Sequence, residues 1–150
     1  MASFDFIPLD EVGLEEYESW FSDAELRRRI EPPRVNWFRY VSNEPGVHAW
    51  MIREAGTPVG HIQLDVSPDQ AGSFSIVVKP QLRGRGLGGR IMRIFLARPE
   101  VMRLRRLEAG VEQDNLAAQR CLRTAGFTQE GIAPDNEGFL TFAYESKLKT

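Results

Sequence analysis

Cysteine occurs once in 150 residues, at Cys121, which excludes an intramolecular disulfide and fits a reducing compartment. Histidine is almost as scarce: His48 and His61 stand apart from each other and from that thiol, so no zinc-type ligand spacing exists and no metal is expected. Long apolar runs are missing as well. Nothing approaches the roughly 18 consecutive apolar residues of a spanning helix. Met1-Ala-Ser-Phe-Asp lacks the basic-then-apolar order of a secretion signal. The expected address is cytoplasmic, with no membrane partner. Positive charge is not in excess either. The 19 Lys and Arg stand against 21 Asp and Glu for a net charge of -2, whereas a phosphate backbone selects a basic surface, so nucleic acid is not the expected partner.

What is present is globular. A hydrophobic fraction of 42% with 27% charged residues, in a chain of ordinary domain length, is enough for a real core without staples. Phe4, Phe6 and Pro8-Leu9 read as a first strand ending at Asp10. Leu14, Tyr17 and Phe21 recur at helical spacing with Trp20 beside them. Ser22-Asp23-Ala24-Glu25 has the capping-box pattern, so a second short helix starts there and stops before Pro32-Pro33. Trp37, Phe38 and Tyr40 fall in a loop-like stretch, packing on the first helices or lining a groove. From Val47 the period becomes that of strands, with a turn at Glu54-Ala55-Gly56-Thr57, a return strand Val59 to Val66, and a third strand Ser73 to Val78.

The apolar run Phe74-Ser75-Ile76-Val77-Val78 leads into Lys79-Pro80-Gln81-Leu82-Arg83-Gly84-Arg85-Gly86-Leu87-Gly88-Gly89-Arg90. Glycine is the poorest ordinary residue for strand or helix, so this cluster asks for a reason. A helix runs from within it to about Arg98 on Leu87, Ile91, Ile94 and Phe95. Leu104 to Val111 is strand-like. Asp114-Asn115 caps a helix carrying Ala117, Ala118, Cys121 and Leu122, and Gly126 sits where a left-handed residue ends it. Asp135-Asn136-Glu137-Gly138 turns the chain into a last strand with Leu140, Phe142 and Tyr144 on one face. The order is β-α-α-β-β-β-α-β-α-β, an α/β (α+β) chain of one domain over residues 1–150, with a mixed, mostly antiparallel sheet and helices on both faces.

A glycine loop opening a helix leaves backbone N–H groups unpaired at the positive end of the helix dipole, which is a phosphate site. Arg83 and Arg85 add guanidinium groups suited to phosphate oxygens. The nucleoside-triphosphate loop is excluded, because Gly88-Gly89-Arg90 supplies no Lys-Ser/Thr ending. The dinucleotide pattern G-x-G-x-x-G fits literally at Gly84, Gly86 and Gly89, with Glu108 near the distance of a ribose-binding acid. It fails physically: five residues including Pro80 separate strand from glycine, and the preceding strands are hairpin-connected. A turn without ligand remains the bland alternative.

Val78-Lys79-Pro80 followed by Gln81-Leu82-Arg83-Gly84-Arg85-Gly86, and later Val111, Asn115-Leu116-Ala117-Ala118 and Ala125-Gly126-Phe127, resemble the two motifs of the GNAT N-acetyltransferase superfamily. The stretch Leu107 to Leu122 is most similar to the branch that acetylates N-termini of ribosomal proteins. The resemblance implies the GNAT fold and acetyl-coenzyme A as cosubstrate, without a metal. It implies backbone pairing of Ile76, Val77 and Val78 with the pantetheine arm. It also implies a pyrophosphate held by Gln81, Arg83, Gly84, Arg85, Gly86, Leu87, Gly88 and Gly89, and a further cofactor contact at Asn115, which as an N-cap also has a purely structural reading. Many relatives pair, so a homodimer stays open.

The implied reaction is acetyl transfer to a primary amine of a small molecule or a protein N-terminus, by direct attack in a ternary complex. Such attack needs a base for the ammonium and a donor for the departing thiolate. The family's tyrosine acid falls at Leu122 and the branch's serine at Ala118, so both familiar donors are absent. A thiolate is a fair leaving group unassisted. Glu108, on the strand bordering the expected gap, is the candidate base, with His61, Asp65 and Tyr144 as further options. The missing donors motivate one rival, a non-catalytic coenzyme A-binding module. The arginines motivate another, nucleic-acid binding. Acceptor choice falls to the segments around Trp37 to Tyr40 and Asp135 to Gly138.

Overall fold

The computed structural model describes residues 3–145. Strand β1 (Phe4–Pro8) is followed by helix α1 (Glu11–Ser19), which begins where the extended Asp10 accepts the Gly13 N–H on its carboxylate at 2.7 Å. That is the N-cap geometry, with the anion also favoured by the helix dipole. Helix α2 (Ala24–Arg29) follows a 3-10 turn at Trp20–Ser22. Its cap is Asp23, not the Ser22 of the sequence reading. Asp23 has the extended backbone and accepts from Leu26 N at 2.9 Å, while Ser22 closes the 3-10 turn and donates to Ser19 O. Helix α3 (Val35–Asn43) occupies the stretch read as a loop. Its β-branched and aromatic residues are indifferent helix formers, so local propensity hides it. Burial of Val41 and the packing of Trp37 against the Tyr17 cluster reveal it.

Strands β2 (Val47–Glu54), β3 (Thr57–Val66) and β4 (Ala71–Val78) form the meander. The β2–β3 turn puts Ala55 and Gly56 at φ 52° and 83°, the left-handed pair that a two-residue hairpin loop requires. Helix α4 (Leu87–Leu96) opens in the glycine cluster, α5 (Pro99–Met102) is a single turn, and strand β5 (Arg106–Glu112) precedes helix α6 (Leu116–Thr124). Gly126, at φ 105°, donates to Arg123 O while Phe127 N donates to Leu122 O. These two bonds make the Schellman ending expected at that glycine. Strand β6 (Thr128–Glu130) is too short for a period to show in sequence and exists through pairing with β7 (Phe139–Tyr144).

The seven strands are ordered β1-β2-β3-β4-β5-β7-β6. Strands β1 and β2, β5 and β7, and β6 and β7 pair antiparallel, while β4 and β5 pair in parallel from Ala71↔Arg106 to Ser73↔Glu108. This is the mixed, mostly antiparallel sheet with helices that the sequence implied.

The chain divides into two compact units, residues 3–64 with 76–87, and residues 65–75 with 88–145. The first is built on Tyr17, Trp20, Phe21, Leu26, Met51 and Val77. The second buries Phe74, Phe95, Phe127 and Phe142, with the Phe74 ring 5.1 Å from Phe95 and 5.8 Å from Phe127. Each large apolar side chain removed from water contributes roughly 1.5–3 kcal/mol. Among the described residues, no helix is long and apolar enough to cross a membrane.

Candidate active site

In the first unit, β4 delivers the chain at Val78 into a 3-10 turn (Pro80–Leu82) and then the glycines. Pro80 sits at the head of that turn, where its missing N–H costs nothing. Gly84 and Gly86 have φ 78° and 76°, and a Cβ built on either meets nothing within 4 Å. Both conformations are those an L side chain resists, and both open onto space. Among the described residues, the N–H groups of Gly84, Arg85 and Gly86 donate to no backbone carbonyl. Helix α4 starts at Leu87, so the N–H groups of its first turn lack intrahelical acceptors too. A run of donors at a helix N-terminus, with glycines that let a ligand reach bare backbone, is chemically fit for a diphosphate.

The two arginines of the loop are placed differently. Arg85 is exposed. Arg83 is not free for phosphate: its Nη2 donates to Asp23 Oδ2 at 2.7 Å, and that pairing with the backbone N–H of Leu26 holds the Asp23 carboxyl below its usual range. Lys79, at the other end of the turn, lies 3.3 Å from Glu16, whose carboxylate also accepts the Trp20 indole N–H at 2.7 Å. The Trp20 bond, with Lys79 behind it, draws the Glu16 carboxyl down. Both ends of the 79–83 turn are thus tied to the α1–α2 segment. No sequence signal marks these pairs, since charged residues of both signs are common throughout.

Ile76, Val77 and Val78 form the end of β4, with Val77 buried and its neighbours half-buried. Gln81 is exposed on the 3-10 turn. One strand over, His61 lies on β3. Its ring stacks on Tyr17 at 4.1 Å between centroids, with Trp37 at 5.7 Å, and only 1% of it is exposed. Burial pushes the imidazole down to about 3 and the Tyr17 phenol up.

In the second unit, Ile91 and Phe95 bury the inner side of α4, and Gly88 and Gly89 stand in its first turn. Glu108 lies on β5 opposite Ser73 and Ala143, and its carboxylate takes the Arg106 Nε–H at 2.7 Å. Arg106 also pairs with Glu130, and the two carboxylates, Glu130 foremost, hold the guanidinium above its usual range. Asn115 is the N-cap of α6, its Oδ1 accepting from Ala118 N at 3.3 Å. Leu122 is buried and Ala118 half-buried, so neither familiar donor position carries a polar group. Tyr144 packs its ring on Phe127, and Asp65 lies near the end of β3. Among the described residues, no group of three or more His, Cys, Asp or Glu side chains is placed to hold a metal ion.

The family model described as the "Acetyltransferase (GNAT) family" matches residues 14–127. The chain belongs to the GNAT acetyltransferase family. The match runs from α1 through both glycine-containing motifs to Phe127, and the protein is an N-acetyltransferase, as the resemblance implied. This GNAT chain is 29% identical over 144 residues to a Bacillus subtilis (strain 168) protein described as "Uncharacterized N-acetyltransferase YfmK", covering 94% of this chain and 97% of that one. Its fold is shared with a spermidine N-acetyltransferase from Vibrio cholerae, solved in complex with CoA and spermine. That likeness has a TM-score of 0.80 at 15% identity, over 95% of each chain. It is also shared with the ribosomal-protein α-N-acetyltransferase RimL, solved with coenzyme A, at TM-score 0.76 and 15% identity over 96% of this chain and 94% of that one.

Proposed function

We propose that this GNAT enzyme transfers the acetyl group of acetyl-coenzyme A to a primary amine, of a small molecule or a protein N-terminus, by direct attack in a ternary complex. The observation that carries the reading is the loop from Gly84 to Gly89. Among the described residues, two left-handed glycines open onto empty space, their amides donate to no backbone carbonyl, and a ten-residue helix begins at the same point. Solved proteins of the same fold hold coenzyme A, which supports the cofactor. The spermine in one of those complexes supports an amine acceptor. The reading takes residues 1–150 as one GNAT domain, supported by a family match that runs through both units.

In this reading the amides from Arg83 to Gly88, with Gln81 and Gly89 beside them, hold the diphosphate. The exposed Arg85 supplies a mobile positive charge, and Arg83 joins only by leaving Asp23. Ile76, Val77 and Val78 offer backbone groups to the pantetheine amides, as one strand does to another. Asn115 contributes through whatever hydrogen-bonding capacity its cap leaves over. When bound, acetyl-coenzyme A supplies an activated thioester. With Leu122 and Ala118 at the usual donor positions, the thiolate departs without a side-chain acid, which its modest basicity allows. Glu108 relays the amine proton through water. Glu108→Gln is expected to lower kcat by about a hundredfold, the low end of general-base effects, with acetyl-coenzyme A affinity unchanged.

Calorimetry with acetyl-coenzyme A, followed by thiol-release assays on a panel of peptide N-termini, polyamines and aminoglycosides, tests the proposal. Micromolar binding and turnover on at least one amine are expected. No heat of binding overturns the cofactor site, whereas binding without turnover on any amine favours a non-catalytic coenzyme A module.

A further inference from the structure

His61 is a costly way to fill its position. Both ring nitrogens, Nδ1 and Nε2, are buried without a hydrogen-bond partner among the described residues. A buried polar group left unpaired is destabilising, and a phenyl ring of nearly the same shape would pack there without the penalty. Native interiors pair their polar atoms in the great majority of cases, so an exception of this kind points to a partner from outside the fold.

Position sharpens the point. The bond from Lys79 N to Val59 O, and that from Ser67 N to Ala71 O, belong to one antiparallel register along β3 and β4. Counting inward from Val59 and Lys79 sets His61 across from Val77. The imidazole therefore stands one strand away from the end of β4, where the cofactor arm is placed in the reading above. Val77 and Tyr17, the ring stacked on His61, belong to the same buried cluster.

The surroundings define what fits. Tyr17, Trp20 and Phe21 supply aromatic surface, and Trp37 leans over the imidazole, tied to β3 by one hydrogen bond from its Nε1–H to Gln63 Oε1 at 2.8 Å. The carboxylate on the same helix, Glu16, is taken by Trp20 and Lys79. Strong burial keeps the ring neutral at ordinary pH, so it offers one lone pair and one N–H. With Glu16 already engaged, several buried charges would go without a counter-ion here, so an amine attached to one apolar arm fits better than a polycation.

We propose that His61 is an acceptor-binding residue: a ring nitrogen takes a hydrogen bond from a primary amine whose apolar arm packs on Tyr17 and Trp37. Entry swings the Trp37 ring off its bond to Gln63. The proton that the amine loses goes elsewhere, because an imidazole so hard to protonate positions the nitrogen rather than storing its proton. The proposal rests on the acetyl-transfer reading, and its test separates the two.

NMR of isotope-labelled histidine, with only His48 and His61 to distinguish, follows titration of the cofactor-saturated protein with n-butylamine, phenethylamine, spermine and kanamycin. The His61 ring nitrogens are expected to shift with the first two. In parallel, His61→Phe is expected to keep acetyl-coenzyme A affinity and kcat while raising KM for phenethylamine about tenfold, the value of one ordinary hydrogen bond. His61→Asn should recover part of that loss. A purely structural ring predicts no change in KM and no amine-dependent shift, and either result overturns the proposal. A preference for spermine or kanamycin overturns the apolar-arm specificity. Absence of acetyl-coenzyme A binding to the unaltered protein defeats the transferase reading instead, and the same amine titration of the cofactor-free protein then tests the His61 site.

Discussion

At the scale of single residues, two positions stand apart. Gly84 and Gly86 adopt left-handed backbone with open space around them. A methyl there meets no atom of the described residues, so the folding penalty is conformational only, about 1 kcal/mol. Gly84→Ala or Gly86→Ala is therefore expected to lower the melting temperature by a few degrees but to weaken acetyl-coenzyme A at least tenfold, by calorimetry, since the new methyl occupies the ligand's approach. His61 predicts a pH dependence of stability. Its pKa falls from 6.5 in the unfolded chain to about 3 in the folded one, so the unfolded state binds the extra proton between those values. The stabilisation is complete above about pH 6.5 and is lost as pH falls toward 3. Between pH 7 and pH 5 the loss amounts to about 2 kcal/mol. The titratable group facing the ring is the Tyr17 phenol, uncharged throughout this range. Denaturant titrations of wild type and His61→Phe should diverge as pH is lowered, with the phenylalanine variant the more stable at every pH.

At the scale of elements, the turn that carries the glycines is latched to the α1–α2 segment. Asp23 serves two masters: it caps α2 through Leu26 N and holds Arg83 through the same Oδ2 atom. An anion at that point opposes a bound diphosphate in two ways, by its own charge and by occupying Arg83. Asp23→Asn preserves a capping oxygen while removing the charge. It is expected to tighten acetyl-coenzyme A binding about two- to fivefold at low salt, an effect the size of an exposed ion pair, and the gain should fade as ionic strength rises. Looser binding would mean that the latch pre-organises the loop instead. The element boundaries show where local signals suffice. Asn115, Gly56 and Gly126 mark their turns and caps in sequence as in space, because capping and left-handed turns involve residues a few positions apart. Helix α3 and strand β6 escape the eye because Val35–Asn43 has weak helix formers and Thr128–Glu130 is too short for a period.

At the scale of the whole molecule, a ligand that binds only the folded chain raises its stability by mass action. Acetyl-coenzyme A at a hundred times its dissociation constant should contribute about 2.7 kcal/mol, which for a chain of this length moves the melting temperature by roughly 5–10 °C. Scanning fluorimetry measures this directly, and a shift below one degree at millimolar cofactor would contradict the site.

In the sequence alone, the class of this protein is carried by its resemblance to a known family. Two glycine-bearing motifs in order, Val78 to Gly86 and Val111 to Phe127, resemble those of the GNAT acetyltransferases, and the family match over residues 14–127 bears that out. A glycine loop opening a helix is legible because its physics is local: φ angles, unpaired amides and a helix start lie within a few consecutive residues. Tertiary structure alone decided which charges are already spent and which polar atoms are left over. Arg83 meets Asp23 across 60 positions of chain, and His61 is stacked on Tyr17 with both nitrogens unmatched among the described residues. Pairing and burial of that kind depend on which distant surfaces the fold brings together, and a linear pattern holds no measure of them.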